Sequence, residues 1–370
     1  MPAEKNVEQR RQTQHKLELM ERYWGAWCTI LAQATTYPFC PTHLWLVDTH
    51  AGPGRHDSAA DPDGHIEGTP ALAALAARAA QRRFPGVTVH VRATDKEKAV
   101  AERLFAVMKP LTGDPPNAVD FKVAPCDWVS AVPWVQAEIA KEDHPHGGRP
   151  GPSGRHDHRS LWFIDPFGVE SIDHKVIEGL PVGAEVIVNL DLMGALRDAG
   201  KARKGDAPMR ELLRTAFGSD AWEAPSALAV PHQALADAFA NTFPRWRYRN
   251  AYLLRATGSQ DRAMVHLTDA KTAVPAFARA VKDAMRAGTV IAGRVLSAQQ
   301  KDDAAVTLFN LFAGQSLTAR EMAPFVPRYS LDQVRTICRT AEQNRYGRWD
   351  ENAGAMEWFV ERAPEKGLFD

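Results

Sequence analysis

Short apolar runs alternate with segments of helical periodicity along most of this 370-residue chain. Apolar runs bounded by polar residues are typical of strands buried on both faces of a parallel sheet, and apolar positions three and four residues apart predict helices. Strands are predicted at residues 44–47, 87–93, 119–123, 161–164 and 185–190, with helices at 69–83, 97–108 and 128–141. This alternation favours a doubly wound α/β sheet that binds ligands at the carboxyl ends of its strands.

The two ends of the chain depart from this alternation. An amphipathic helix is predicted over residues 15–34, packed on the domain that follows. Two β-rich segments, 247–256 and 262–267, are separated by a short turn, which predicts an antiparallel hairpin at the edge of the sheet. After residue 304, short helices and a β-like tail are typical of a winged helix.

These features predict three parts of the chain. Residues 1–40 form an N-terminal helix packed on the core, residues 41–290 form the α/β domain, and residues 300–370 form a small winged-helix-like domain. Residues 142–160 are rich in Pro, Gly and His, and they are predicted to be a flexible insertion in the α/β domain.

No metal site is predicted. The histidines of the insertion, at positions 144, 146, 156 and 158, have no ordered spacing, and the four cysteines lack the paired spacing of a zinc site or a disulfide framework. The N-terminus has no apolar signal region, and no apolar run approaches the length of a membrane span. We therefore expect a soluble protein of the reducing cytoplasm, with no membrane partner.

The charge of the chain is balanced. Its 45 Lys and Arg residues equal its 45 Asp and Glu residues, so a protein that coats nucleic acid through overall positive charge is disfavoured. A local basic patch remains compatible with this balance. Six arginines give the C-terminal part a positive local charge: Arg320, Arg328, Arg335, Arg339, Arg345 and Arg348. They form either a nucleic-acid contact or a solvated helix face.

The loop after the first predicted strand is acidic and rich in glycine. Gly52 and Gly54 permit a tight turn and a close approach of the backbone to a ligand. The dinucleotide-binding fingerprint is incomplete because its third glycine is missing, so the loop suits a smaller nucleoside such as S-adenosylmethionine (SAM) better. The alternative is a plain strand-to-helix turn. The predicted cofactor contacts in the loop are Asp48, Thr49, Ala51, Gly52, Pro53 and Gly54.

Two further strand ends carry candidate cofactor contacts. Asp95, followed by Lys96, is placed where a carboxylate accepts hydrogen bonds from ribose hydroxyls, and it is equally suited to cap the next helix. Asp127 can accept from an adenine amino group and Trp128 can flank the ring. The alternative for this pair is a helix cap beside a buried tryptophan.

The fourth predicted strand ends in the most specific signal of the chain. In Asp165-Pro166-Phe167-Gly168, an acceptor side chain and backbone carbonyls held by proline can bind an amino group, and Phe167 can stack on a planar base. Such a site acts mainly by positioning two reactants. We therefore predict that Asp165, Pro166, Phe167 and Gly168 form the catalytic motif.

Together these motifs resemble those of the class I SAM-dependent methyltransferases, which have a Rossmann-like fold. More narrowly, the chain resembles the three-Cys-motif partner (TcmP) family, over roughly residues 15–290. The residues that carry this resemblance are Lys16, Met20, Tyr23, Trp27, Asp48, Ala51, Gly52, Gly54, Phe163, Asp165, Pro166, Phe167 and Gly168. The resemblance implies SAM as cofactor and a radical-SAM-like three-Cys-motif protein as partner.

The leading hypothesis is a SAM-dependent N-methyltransferase that acts on an exocyclic amine of a nucleobase in RNA or DNA, with the winged helix supplying nucleic-acid contacts. Two alternatives remain open. One is methylation of a small molecule, which the balanced charge favours mildly. The other is a SAM-binding module without catalysis that docks a partner protein or DNA. A nicotinamide-dependent dehydrogenase is disfavoured because the third glycine is missing.

Overall fold

The computed structural model describes residues 2–34, 43–57, 65–113, 118–142, 158–166, 168–228, 231–254, 262–287, 315–322, 331–344, 346–350 and 355–358, and the single positions 301, 305, 308, 309 and 353. By their contacts the residues divide into two compact units. The first consists of residues 1–54, 68–80 and 86–288. The second consists of residues 55–67, 81–85 and 289–370.

A seven-stranded sheet forms the centre of the first unit. Its strands are β1 (His43–Asp48), β4 (Thr88–Thr94), β5 (Asp120–Ala124), β6 (His158–Ile164), β7 (Ala184–Asp191), β8 (Tyr248–Leu254) and β9 (Arg262–Thr268). The order across the sheet is β5-β4-β1-β6-β7-β9-β8. The first five strands run parallel, and β9 pairs antiparallel with both β7 and β8. The predicted α/β sheet with an antiparallel edge is confirmed.

Helices connect these strands. They are α1 (Pro2–Ala34), α2 (Thr69–Arg83), α3 (Lys98–Met108), α4 (Trp128–Glu142), α5 (His174–Glu178), α6 (Leu192–Arg203), α7 (Ala207–Phe217), α8 (Glu223–Ser226), α9 (His232–Asn241) and α10 (Ala273–Ala287). Short 3-10 turns lie at Lys109–Leu111 and Val169–Ser171. The central strand β1 is apolar and buried on both faces, and every one of its residues after His43 is buried, whereas the edge strand β5 has no fully buried residue.

Helix α1 is held to the first unit by aromatic side chains. Tyr23 and Trp24 are fully buried, and the Tyr23 ring meets the Phe277 ring of α10 edge to face, with centroids 4.8 Å apart. The Tyr23 hydroxyl donates to the buried carboxylate of Glu185 in β7. Burial of these large rings contributes to holding α1 alongside the sheet.

The connections of the sheet reverse direction between β1 and β6. From β1 the chain proceeds outward to β4 and β5, and it then returns to β6 and proceeds to β7 on the other side. In open α/β sheets, ligands bind in the crevice at the carboxyl ends of the strands where the order reverses. The strand ends at Asp48 and Ile164 mark this crevice.

The second unit contains two small antiparallel sheets. One pairs β2 (Arg55–Asp57) with β3 (His65–Glu67). The other has the order β10-β12-β11, formed by β10 (Ser316–Thr318), β11 (Gly347–Asp350) and β12 (Ala355–Trp358). Two helices of this unit have described bounds, α11 (Ala319–Met322) and α12 (Leu331–Gln343). The buried Trp358 indole N–H donates to the Met322 sulfur at 3.3 Å, which joins β12 to α11.

Some boundaries differ from the prediction. Helix α1 begins at Pro2 rather than residue 15, because its first half is polar and has no apolar stripe although its residues form helices readily. The predicted insertion 142–160 is wrong at its ends. Glu142 closes α4, and His158 already pairs with His43 in the register of β1 and β6. The rest of that insertion, 143–157, and the predicted hairpin turn, 257–261, lie outside the described residues.

None of the helices described is both long enough and apolar enough to cross a membrane.

Candidate functional site

The loop that follows β1 is fixed by the buried carboxylate of Asp48. One carboxylate oxygen accepts the His50 backbone N–H at 3.1 Å, and the other accepts the Thr69 hydroxyl at the start of α2. Burial raises the pKa of Asp48 to about 7, although both hydrogen bonds oppose this rise. Asp48 therefore joins the end of β1 to α2, and both of its oxygens already accept hydrogen bonds within the chain.

The same loop is attached to the strands on either side of β1. The Thr49 backbone N–H donates to the Phe163 carbonyl of β6 at 3.1 Å, and the Ala51 N–H donates to the Thr94 carbonyl of β4 at 3.0 Å. The Thr94 hydroxyl returns a bond to the Thr49 carbonyl at 3.1 Å. These bonds fix the backbone of the loop next to the point where the strand order reverses. Pro53, near the end of the loop, is partly exposed.

The two loop glycines have different surroundings. Both adopt positive φ, +60° at Gly52 and +79° at Gly54, which favours glycine. A Cβ at Gly52 would meet no atom within 4 Å, so this part of the loop borders open space. A Cβ at Gly54 would lie 2.7 Å from Leu104 of α3, so Gly54 is required by packing within the chain. Gly52 therefore leaves room for a ligand.

Alanine at each glycine separates these two roles. Gly54→Ala is expected to lower the melting temperature more than Gly52→Ala. Both replacements introduce backbone strain that costs about 1–3 kcal/mol. Only Gly54→Ala also places a methyl group too close to α3, which costs about 1–3 kcal/mol more. Thermal denaturation followed by circular dichroism measures the difference. Equal melting temperatures would show that Leu104 moves aside at no cost.

Asp165 lies directly after β6 in a partly buried cluster. The Lys16 ammonium of α1 contacts one of its carboxylate oxygens at 2.6 Å, and the side-chain amide of Asn189 in β7 donates to the other at 2.6 Å. Burial raises the pKa of Asp165, but the Lys16 charge and the hydrogen bonds from Lys16 and Asn189 outweigh it and hold the pKa below its usual value. Asp165 is therefore ionised at neutral pH.

The side-chain carbonyl oxygen of Asn189 has no hydrogen-bond donor among the described residues. Its side chain is 1% exposed, and its Oδ1 atom makes no hydrogen bond to any residue described. The orientation of the amide is fixed, because only the NH2 group can donate to the Asp165 carboxylate. A buried carbonyl oxygen without a donor is costly, so this atom is suited to accept a hydrogen bond from a ligand.

Two other residues of the predicted catalytic motif are described by the structure. Pro166 and Gly168 are buried. A Cβ at Gly168 would lie 2.2 Å from the Glu170 carboxylate, so this position accepts only glycine without a shift of Glu170. Phe167 lies outside the described residues.

The end of β4 presents Asp95 and Lys96. Asp95 is partly exposed, and one of its oxygens accepts the Glu97 backbone N–H at 2.9 Å, while the other has no partner among the described residues. Lys96 is exposed. Asp95 thus helps to start α3 and still offers a carboxylate oxygen at the same sheet edge as Asp48 and Asp165.

Asp127 and Trp128 start α4. Asp127 is exposed and accepts the Ser130 backbone N–H at 2.8 Å, which is the geometry of a helix cap. Trp128 is 5% exposed, packs in the core and donates its indole N–H to the Ser171 carbonyl. The structure therefore places this pair as a helix cap and a core residue, and leaves little of the Trp128 ring for an adenine.

Three residues of the site had no role in the sequence analysis. Lys16 was noted only as part of a motif, and Asn189 and His50 were not singled out. Burial lowers the pKa of His50, so its ring, 2.9 Å from the Thr49 hydroxyl, is neutral at pH 7. The signal for Asn189 was a polar residue that follows the apolar run 186–188 in the buried strand β7.

Comparisons with known proteins give only distant likenesses. No protein-family model matches the chain, and no curated protein matches it. The solved structure of LPL1258 from Legionella pneumophila, of family DUF519, is similar over 72% of this chain and 90% of its own, with 12% identity and a TM-score of 0.36. The methyltransferase domain of bacterial CtHen1-C is similar over 68% of this chain and all of its own, with 12% identity and a TM-score of 0.29. At these scores neither likeness carries an argument about function.

Membership of the three-Cys-motif partner family is not shown by these comparisons. The resemblance to that family rests on the sequence motifs alone, and the mixed α/β fold with its seven-stranded sheet is the part that the structure establishes.

Proposed function

We propose that the chain is a SAM-dependent N-methyltransferase and that its acceptor is an exocyclic amino group of a nucleobase in RNA or DNA. The observation that carries this proposal is the hydrogen-bonded pair of the partly buried Asp165 and the buried Asn189, which offers an ionised carboxylate and an amide oxygen without a partner among the described residues. The 2.6 Å bond between Asn189 and Asp165 keeps their acceptor groups near each other, and two acceptors suit a group with two N–H donors, which is what an exocyclic amine provides.

The surroundings of this pair fit SAM. Gly52 borders open space, and the loop that contains it is held rigidly between β4 and β6. Asp95 has one carboxylate oxygen without a partner in the described part of the chain, which suits a ribose hydroxyl. We assign the methionine part of SAM to the loop between Asp48 and Gly54, and the ribose to Asp95.

SAM, when bound, would supply an electrophilic methyl group and leave as S-adenosylhomocysteine when its sulfur–methyl bond breaks. The proton that the methylated nitrogen loses can pass to the ionised Asp165 carboxylate or to solvent. The chain itself positions the amine that receives the methyl group. Asn189 Oδ1 accepts one amine N–H, and Asp165 accepts the other through lone pairs that Lys16 and Asn189 leave unused. With both hydrogens held, the nitrogen lone pair is directed out of this pair of acceptors, and the catalytic effect arises mainly from orientation.

The second unit is the proposed nucleic-acid contact. Helix α12 followed by the antiparallel strands β11 and β12 suits a winged helix, and Arg335, Arg339 and Arg348 are exposed there. Positive side chains on one element favour contact with phosphates. The motif resemblance adds a radical-SAM-like three-Cys-motif protein as a second proposed partner.

Calorimetric titration with SAM and with S-adenosylhomocysteine tests the cofactor. We expect one binding site per chain and an affinity at least about 10-fold weaker in Asp95→Asn, because a hydrogen bond to a charged group contributes about 1.5–3 kcal/mol. Asp206→Asn is the matched control, since Asp206 also accepts a backbone N–H at a helix start but precedes α7. Absence of binding at millimolar ligand, or equal losses in both variants, would contradict the proposal.

A further inference from the structure

Two histidines and a glutamate meet at the other end of the parallel strands. His43 begins β1, His90 lies in the adjacent strand β4, and Glu142 is the last residue of α4. One ligand atom from each lies within 4.8 Å of the other two. The ring nitrogens His43 Nδ1 and His90 Nε2 face each other at 2.9 Å. These are side chains of the kinds that bind transition metals, and they converge on one point.

The ring of His90 is held in the orientation that a metal ligand requires. Its Nδ1 atom is 2.6 Å from the Asp120 carboxylate, which accepts from Arg92 as well, so Nδ1 carries the proton and Nε2 presents its lone pair toward His43. The ring is 2% exposed and stacks on Trp45 with centroids 4.0 Å apart. A carboxylate that accepts from the far nitrogen of a histidine is the usual support of a metal-binding imidazole.

The donor set suits zinc. Zn²⁺ binds imidazole nitrogen and carboxylate oxygen at about 2.0–2.2 Å, and a tetrahedral arrangement separates the ligand atoms by about 3.4 Å. The facing nitrogens at 2.9 Å need to part by only about 0.5 Å to admit an ion. His43 and Glu142 are partly exposed, so a water molecule can reach the fourth position.

A third histidine nearby is excluded as a ligand. The ring of His158 lies beside that of His43, with centroids 5.1 Å apart. Its Nδ1 atom accepts the Trp45 indole N–H at 3.1 Å, so the neutral ring carries its proton on Nε2 and has no lone pair left for an ion. His158 therefore provides a matched control within the same cluster.

We propose that His43, His90 and Glu142 form a divalent transition-metal site, with zinc the preferred ion. His43 and Asp48 are the first and last residues of β1, five positions apart, which places the site roughly 16 Å from the loop of the candidate methyltransferase site at about 3.3 Å per residue. The metal site is thus distinct from that crevice. A bound ion fastens the start of β1, the middle of β4 and the end of α4 to one another.

Metal titration of the full chain tests the proposal. After treatment with a chelator, Zn²⁺ is expected to bind with one site per chain and to raise the melting temperature, since an ion that binds only the folded state stabilises it. Co²⁺ is the spectroscopic probe, and its visible absorption is expected to show nitrogen and oxygen ligands in tetrahedral geometry. His43→Gln and Glu142→Gln, both at partly exposed positions, are expected to weaken Zn²⁺ binding at least about 10-fold.

Two control variants test whether zinc binds at His43, His90 and Glu142 rather than at other histidines. His158→Gln keeps an acceptor for Trp45 and is expected to bind Zn²⁺ as the unchanged chain does. The second control replaces the histidines of the segment outside the described residues, His144, His146 and His156, with glutamine and is also expected to retain the site. Zinc binding that is lost in either control, or that is unaffected in both His43→Gln and Glu142→Gln, would overturn the proposal.

Discussion

Asp48→Asn is expected to make the protein more stable than the unchanged chain at pH 8 and nearly equal in stability at pH 4. The pKa of the Asp48 carboxyl is about 7 in the folded chain, against an ordinary value of 3.8. Between these values the folded state binds more protons than the unfolded state, so the free energy of unfolding falls as the pH rises from about 4 to 7. Above pH 7 the carboxylate is both charged and buried.

Asparagine removes this charge and keeps the contacts. Its oxygen can accept the His50 N–H, and its NH2 group can donate to the Thr69 hydroxyl, so neither partner loses its hydrogen bond. We expect a gain of about 2–4 kcal/mol at pH 8, at about 1.4 kcal/mol per pKa unit, and a rise of several degrees in melting temperature.

Melting curves at half-unit steps between pH 4 and pH 9 measure the effect. Asp191→Asn is the control, because Asp191 also ends a strand and accepts a backbone N–H, at 3.1 Å from Gly194, but is only partly buried. Parallel pH profiles for Asp48→Asn and the unchanged chain would show that Asp48 is ionised well below pH 7.

The sheet was predictable because burial on both faces leaves a direct pattern in the sequence. The run from Leu44 to Val47 is uninterrupted, and all four residues are 0% exposed. The first half of α1 has no such pattern, since its sequence is polar and has no apolar stripe. The hairpin of β2 and β3 was missed for a related reason. Each strand has three residues, too few for an alternation to show.

The candidate site was partly predictable for a topological reason. Parallel strands end at one edge, so polar residues after successive strands, such as Asp48, Asp95 and Asp165, come together whatever their distance in sequence. Their hydrogen bonds were not predictable. Lys16 lies 149 residues from Asp165, and the contact exists only because α1 packs beside the sheet.

The cluster of His43, His90 and Glu142 was even less predictable from the sequence than the contact between Lys16 and Asp165. His43 and His90 are 47 residues apart, and neither belongs to a short metal-binding motif. The expectation that the chain has no metal site depended on local spacing, which cannot detect ligands that separate strands bring together. One signal was present in the sequence: β4 is buried after its first residue and yet contains polar residues, His90 among them, and buried polar groups need partners.

Asp165→Asn is expected to reduce methyl transfer at least about 100-fold and to leave SAM affinity within about 3-fold of that of the unchanged chain. Asparagine has nearly the same shape, but it cannot offer two ionised oxygens to Lys16, Asn189 and an incoming amine. Loss of one group that positions or stabilises the reacting atoms commonly costs two to three orders of magnitude in rate. Transfer of a radiolabelled methyl group from SAM to unfractionated tRNA, rRNA and DNA measures the rate.

Folding must be separated from catalysis in this variant, because loss of one partner of a buried ion pair costs about 3–5 kcal/mol. Lys16→Met combined with Asp165→Asn removes both charges and so restores stability, but it is not expected to restore transfer. Asp191→Asn makes the same chemical change at the end of β7, where the carboxylate caps α6, and is expected to retain activity. Equal rates in Asp165→Asn and Asp191→Asn would show that Asp165 does not position the acceptor amine. Loss of SAM binding in Asp165→Asn would show that Asp165 contacts the cofactor instead.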